Sequence, residues 1–309
     1  RFFIPMEVQH QMLKHAMKGK RKLKRTGKKK KRGIRRKRPL LLRKRKRAVK
    51  RKRFKGRIRR KKRRVNVQRS VEPEAPSSRA FTYMLGIGFV NRADLLHNAL
   101  RSVEPYWSHS IVIDNSKNSE LSSDSVAASV EVLHPPVPYS FSQTMNVMHR
   151  LGAERKREVI MFLHNDAEVR PGTMERFLHR IGTLLHEERR WGAVLTQYQS
   201  LVAFNMAAVR EVGPWDIQLP QYFSDNDYYR RLRLAGYEIV ETELDVLHVD
   251  GGSGTIKADA ELRSANDILH PLHGSYYSSK WGGLPGSEQL DRMFGGYPLN
   301  PVNDYLSEL

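Results

Sequence analysis

The feature that most constrains the fold is a change of hydrophobic period, repeated along the chain. Between residues 81 and 186, short apolar runs alternate with longer stretches whose apolar residues recur every three or four positions. FTYMLGIGFV (81–90) is strand-like. In the ADLLHNALRSV that soon follows, Leu95, Leu96, Ala99, Leu100 and Val103 share one helical face. HSIVIDNS (109–116) and SVEVLHPP predict a second and a third strand. SFSQTMNVMHRLGAE predicts a helix capped by Ser140 or Ser142. EVIMFLHNDAEV reads as a fourth strand, and PGTMERFLHRIGTLLHEE as a helix with Pro171 near its start. Strands alternating with helices predict an α/β domain with a mostly parallel central sheet.

Ligands in such sheets sit beyond the carboxyl ends of the strands. Two of the buried-looking runs end there in groups that are costly to bury. The second ends in Asp114 and Asn115, the fourth in His164, Asn165 and Asp166. These residues are therefore site candidates. The competing reading makes Asp166 a turn former that bonds its own backbone ahead of Pro171. Glu168 reads as a surface charge at a strand end.

Charge divides the chain. Residues 1–70 hold 35 of the 56 Lys and Arg but only one of the 32 acids, and 32 of the 47 residues from Lys18 to Arg64 are basic. Such a block repels itself and buries little, so 1–70 is expected to be a low-complexity arm, disordered or helical. Residues 71–79, VEPEAPSSR, read as a linker and 80–309 as one globular domain. The arm's expected partner is a polyanion or an anionic membrane surface, met through residues 18–64. With few aromatics and neither zinc-finger nor helix-turn-helix spacing, the arm does not predict base stacking or sequence-specific DNA reading. A chain without cysteine has no disulfide and no thiolate metal site. No signal-peptide core or membrane-spanning run is visible, so a cytoplasmic location is expected, peripheral to a membrane or an anionic assembly.

The order of the remaining pieces carries a resemblance. GIGFVNRADLLHNALRSV, IVIDNSKNSE, FLHNDAEV, FNMAAVREVGPWD, FSDNDYYRRLRLAGYEI, LHVDGGSGT and YYSSKWGG follow one another over about residues 80–300. The series resembles a family 2 glycosyltransferase of the GT-A fold, rhamnosyltransferase-like. The resemblance implies a nucleoside-diphosphate sugar as donor, a hydroxyl on a glycan or other polymer as acceptor, a divalent Mn²⁺ or Mg²⁺, and inversion at the anomeric carbon. Asp114 then resembles the acid that contacts the nucleotide base, with Asn115 beside it. Asp166 resembles the last acid of a DxD metal motif, Asp225 the catalytic base, and His248 a late metal or diphosphate contact. His164 stands where the family often has the first acid, so it and Asn165 are expected on the metal or the nucleotide sugar.

Local chemistry sharpens some of these roles. In SDNDYYRRLRLAGYE, Ser224 and Asp227 are spaced as a capping box, which occupies Asp227 and leaves Asp225 for the base. The glycines of HVDGGSGT, with Gly252 and Ser253 at the centre, would let backbone N–H groups approach phosphate oxygens. Trp215 is expected to line the sugar or acceptor pocket, or to sit in the core. Trp281 reads as packing. The other histidines, among them His97, His134 and His149, read as surface or helix residues. A rival expectation is a degenerate glycosyltransferase-like domain whose basic arm binds nucleic acid or another polyanion. Oligomeric state is not readable.

Overall fold

The computed structural model describes residues 78–296, apart from Val126 and Ser253. The expected arm at 1–70 and most of the expected linker lie outside the described residues, and so does the site candidate Ser253.

The nine strands described are β1 (Tyr83–Phe89), β2 (Ser110–Asp114), β3 (Glu131–Leu133), β4 (Val159–His164), β5 (Ala167–Val169), β6 (Trp191–Leu195), β7 (Leu201–Asn205), β8 (Glu238–Glu241) and β9 (Val246–His248). Seven form one sheet in the order β3-β2-β1-β4-β7-β6-β8. Within it β7 runs antiparallel to both neighbours and every other pairing is parallel. The fold is thus mixed α/β around a mostly parallel sheet, as expected. The helices are α1 (Ala93–Ser102), α2 (Phe141–Glu154), α3 (Thr173–His186), α4 (Met206–Val212), α5 (Ser224–Leu234), α6 (Gly254–Ala258) and α7 (Ala260–Trp281).

Alternation along the strands builds a core on each face of the sheet. Leu85, Ile87 and Phe89 of β1, with Val159, Met161 and Leu163 of β4, pack against Leu96 and Leu100 of α1 and Phe177, Ile181 and Leu184 of α3. The opposite parity, Met84, Ile160 and Phe162, meets Met145 and Met148 of α2, Val209 of α4 and Tyr228 and Leu232 of α5. Each fully buried large side chain contributes about 2–3 kcal/mol. The β1 glycines belong to this second face. A Cβ on Gly86 would lie 2.1 Å from Cε of Met148, so its absence lets α2 close onto the sheet.

The predicted fourth strand is two strands. A turn at Asn165–Asp166 ends β4, and the chain resumes as β5 in a separate ribbon, antiparallel to β9. Of the two predicted caps on α2, Ser140 is the real one: its side chain accepts from the backbone N–H of Gln143, and the Gln143 side chain returns the bond. Ser142 Oγ instead donates to the carbonyl of Leu219.

Candidate functional site

Parallel strands in near-equal register end at one edge. Phe89 pairs with Asp114, Gly88 with His164, and Ile113 with Leu133. Three of the predicted site residues converge at and beyond that edge. His164 is the last residue of β4, Asp166 lies in the turn after it, and His248 closes β9. The ribbon makes the meeting possible: Ala167 pairs with His248, and the N–H of Val249 donates to the carbonyl of Asp166 at 2.9 Å.

One nitrogen of each histidine and one oxygen of Asp166 all lie within 4.8 Å of one another. Nε2 of His248 is 3.1 Å from Oδ1 of Asp166. Neighbouring ligands at right angles on an ion with bonds of about 2.1 Å would be about 3.0 Å apart, so this pair is already spaced for a shared cation. The cluster is largely enclosed, with Asp166 buried and both histidines half-buried. The ring of His164 packs edge-on against Phe162 and His248 and stacks on Phe141. Those surroundings desolvate it, and with His248 beside it its pKa falls to about 4 despite the pull of Asp166. At neutral pH it is therefore the uncharged imidazole a metal requires. Burial acts to raise the pKa of Asp166, but the His248 hydrogen bond and both histidines outweigh it, so the carboxyl stays below its ordinary value. The donor set fits a divalent ion.

The glycine loop after β9 packs directly on the cluster. Gly252 has φ +75°, and a Cβ there would sit 2.4 Å from Cε1 of His248. This glycine lets the backbone lie on the imidazole. Gly254 faces Asp166, whose Oδ2 would be 3.6 Å from an added Cβ. The loop thus walls in the two ligands that the resemblance had assigned to the metal. Asn165 ties the neighbouring ends together, donating to the carbonyl of Asn91 and accepting from Oγ1 of Thr255, both long contacts.

The two acids of SDND have opposite surroundings. Asp227 is buried and fully engaged. Its Oδ2 accepts from Nε of Arg231, and its Oδ1 from Nζ of Lys280 and Nε1 of Trp281, at 3.0, 2.8 and 2.8 Å. Asp225 is half-buried, its carboxylate meets only the backbone N–H groups of Asn226 and of Asp225 itself, and it has no side-chain partner or ion pair among the described residues, while desolvation raises its pKa. The expected capping box is absent. Phe223, at φ 65°, is the N-cap of α5, and Ser224 Oγ turns back to the carbonyl of Gln221. Asp227 does have a structural role, but it joins elements distant in sequence rather than capping its own helix.

Other expected contacts lie deeper than anticipated. Trp215 is 1% exposed, stacked on Tyr228 at 4.4 Å with its Nε1 toward His149, which is the placement of a core residue. Asn115 spends its amide on Oγ1 of Thr144 and the N–H of Tyr139. Asp114 is buried beneath its own turn and bonded to His134, which the sequence suggested was a surface or helix residue. Its only advance signal was its place at the polar end of the third predicted strand, SVEVLHPP.

No family model matches the chain, and no curated protein matches it. Solved structures do. A mannosyltransferase from Pyrobaculum calidifontis, in complex with GDP-Man and Mn²⁺, is 13% identical over 54% of this chain and 56% of its own length, with a TM-score of 0.42. Glucosyl-3-phosphoglycerate synthase from Mycobacterium tuberculosis, in complex with Mn²⁺, UDP and phosphoglyceric acid, is 13% identical over 63% of this chain and 79% of that one, TM-score 0.43. A cytidylyltransferase from Leptospira borgpetersenii is 11% identical over 62% and 97%, TM-score 0.39.

Proposed function

We propose that this domain is an inverting glycosyltransferase of the GT-A fold, moving a sugar from a nucleoside-diphosphate sugar to an acceptor hydroxyl. The observation that carries the reading is the meeting of His164, Asp166 and His248 beyond the end of β4, where the motif order places a metal-binding diphosphate site. These three residues would hold a divalent ion, which when bound stabilises the charge that builds on the departing diphosphate. Two imidazoles and one carboxylate favour Mn²⁺ over Mg²⁺.

Asp225 is the proposed base. An acid with a raised pKa and no cationic partner is a stronger proton acceptor than one held in an ion pair, and among the described residues Asp227 is ion-paired and Asp225 is not. The acceptor's O–H proton passes to the Asp225 carboxylate while the acceptor oxygen forms a bond to the anomeric carbon. The bond from that carbon to the diphosphate breaks on the opposite face, and the nucleoside diphosphate leaves with the electron pair. The buried ion cluster of Asp227, Lys280, Asp216 and Arg231 fixes the first turn of α5, and so the backbone that carries Asp225 two residues before Asp227.

The rival reading of a degenerate domain draws no support from His164, which is gathered into the cluster rather than turned away from it. A panel of nucleotide sugars, tested for thermal stabilisation of the full chain with and without Mn²⁺, should identify the donor, since a ligand of the folded state raises its stability by mass action. Asp225→Asn should then retain donor binding and lose transfer. Stabilisation by no donor under either condition would overturn the proposal.

A further inference from the structure

We infer that His134, held in orientation by Asp114, is the side chain that meets the nucleotide base, and that Asp114 itself is a positioning residue. This rests on the nucleotide-sugar reading above. The resemblance implied direct contact by Asp114, but its carboxylate has no capacity left. Its side chain is 0% exposed. Oδ1 accepts from the backbone N–H of Ser116 at 3.0 Å and from Ser116 Oγ at 2.6 Å. Oδ2 accepts from the backbone N–H of Leu121 at 3.2 Å and lies 3.1 Å from Nδ1 of His134. A carboxylate offers about four lone-pair positions, and four donors fill them.

His134 has what Asp114 lacks. It follows β3 directly, and 36% of its side chain is exposed. With Nδ1 against a carboxylate, that nitrogen carries the proton, so the neutral ring presents the lone pair of Nε2 as an acceptor. No described residue is hydrogen-bonded to Nε2. Nucleobase edges offer ring N–H or exocyclic amino donors that suit such an acceptor.

Spacing supports the pairing. The sheet runs β3-β2-β1-β4 at the edge where both His134 and His164 lie. Three inter-strand steps of about 4.8 Å separate them by about 14 Å. A base, a ribose and two phosphates in series match a span of that order, with the base at the β3 end and the diphosphate at the His164–Asp166–His248 cluster.

The test is calorimetric titration of the full chain with UDP, GDP, CDP, ADP and inorganic pyrophosphate, each with Mn²⁺. His134→Ala should weaken the best nucleotide roughly tenfold, the loss of one hydrogen bond, and leave pyrophosphate unchanged. His134→Gln, which keeps an acceptor oxygen, should recover part of the loss. Unchanged nucleotide affinity in His134→Ala, or an equal loss for nucleotide and pyrophosphate, would overturn the assignment while leaving the nucleotide-sugar reading intact. Failure of the wild-type chain to bind any nucleotide would overturn both. If His134→Ala does not fold, the wild-type His134 Hε1 resonance, identified through His134→Gln, decides. It should shift with nucleotide and not with pyrophosphate, and a resonance that stays still rejects the contact.

Discussion

Replacing Lys280 by methionine should destabilise the domain by about 3–5 kcal/mol at neutral pH, and a large part of that loss should disappear in acid. Lys280 is 2% exposed, with Nζ 2.5 Å from Oδ2 of Asp216 and 2.8 Å from Oδ1 of Asp227. Methionine keeps most of the packing of the stem and removes the charge. Among the described residues Asp216 is then left buried with only Tyr276 and the N–H of Gln218 as donors, while Asp227 keeps Arg231 and Trp281. An uncompensated buried carboxylate is the costly product, whatever the net worth of the intact cluster. The sign of the pH effect follows from Asp227. Burial acts to raise its pKa, but Arg231 and Lys280 prevail and hold it below the usual 3.8. A depressed folded-state pKa gives stability that is present above the unfolded value and lost as pH falls through the folded one. Removing Lys280 weakens that depression, so the variant takes up protons at higher pH than the wild type, and each unit of difference is worth about 1.4 kcal/mol. Urea unfolding at pH 7 and near pH 4, followed by the fluorescence of buried Trp191, Trp215 and Trp281, measures both quantities. A loss below about 1 kcal/mol at pH 7, or a loss equal at both pH values, would refute this account of the cluster.

Three more expectations concern the site. Asp225→Asn should lower turnover by about 10²–10⁴-fold. Because burial raises the folded-state pKa of Asp225 above its unfolded value, stability is lost as pH rises from the unfolded value through the folded one, so at neutral pH the same variant should melt at or slightly above the wild-type temperature. A clear drop in melting temperature would mean that the carboxylate has a structural partner. Gly252→Ala combines a left-handed backbone with a Cβ 2.4 Å from His248, and should weaken Mn²⁺ binding at least tenfold by calorimetry as the imidazole is pushed aside. In the wild-type chain Mn²⁺ should bind more tightly than Mg²⁺, and His164→Asp should narrow the gap by exchanging a nitrogen donor for an oxygen. Equal affinities in the wild type would argue that His164 does not ligate.

What was legible in the sequence was what depends on period. Strands β1 to β4 and helices α1 to α3 follow from apolar spacing that is strong and local, and the polar ends of β2 and β4 could be marked because charged groups after a buried run are unusual. The partition of roles was less legible, since it depends on contacts between distant segments. EVIMFLHNDAEV looks continuous, and only pairing with β9 shows why the chain turns at Asn165 and Asp166. Asp227 satisfies a local capping rule on paper, yet Lys280 and Trp281, more than fifty residues later, claim its oxygens. Trp215 beside Asp216 suggested a sugar platform, but the flat face of Tyr228 is what covers it. His134 carried no pattern, because a half-exposed histidine acquires its meaning from the carboxylate behind it.

The ribbon of β5 and β9 has a consequence for how the molecule is made. His248 and Asp166 are 82 residues apart, and the short antiparallel pairing is what joins them. The strands that carry the proposed base contact, β1 to β4, are complete before the ribosome has translated β6. The proposed ion site waits for everything up to β9. Contacts of such long sequence separation form late, because closing the intervening loop is slow. Uptake of a metal ion should therefore be among the last events of maturation, and a refolding chain should gain its helical signal before it gains the ability to quench a bound-metal probe.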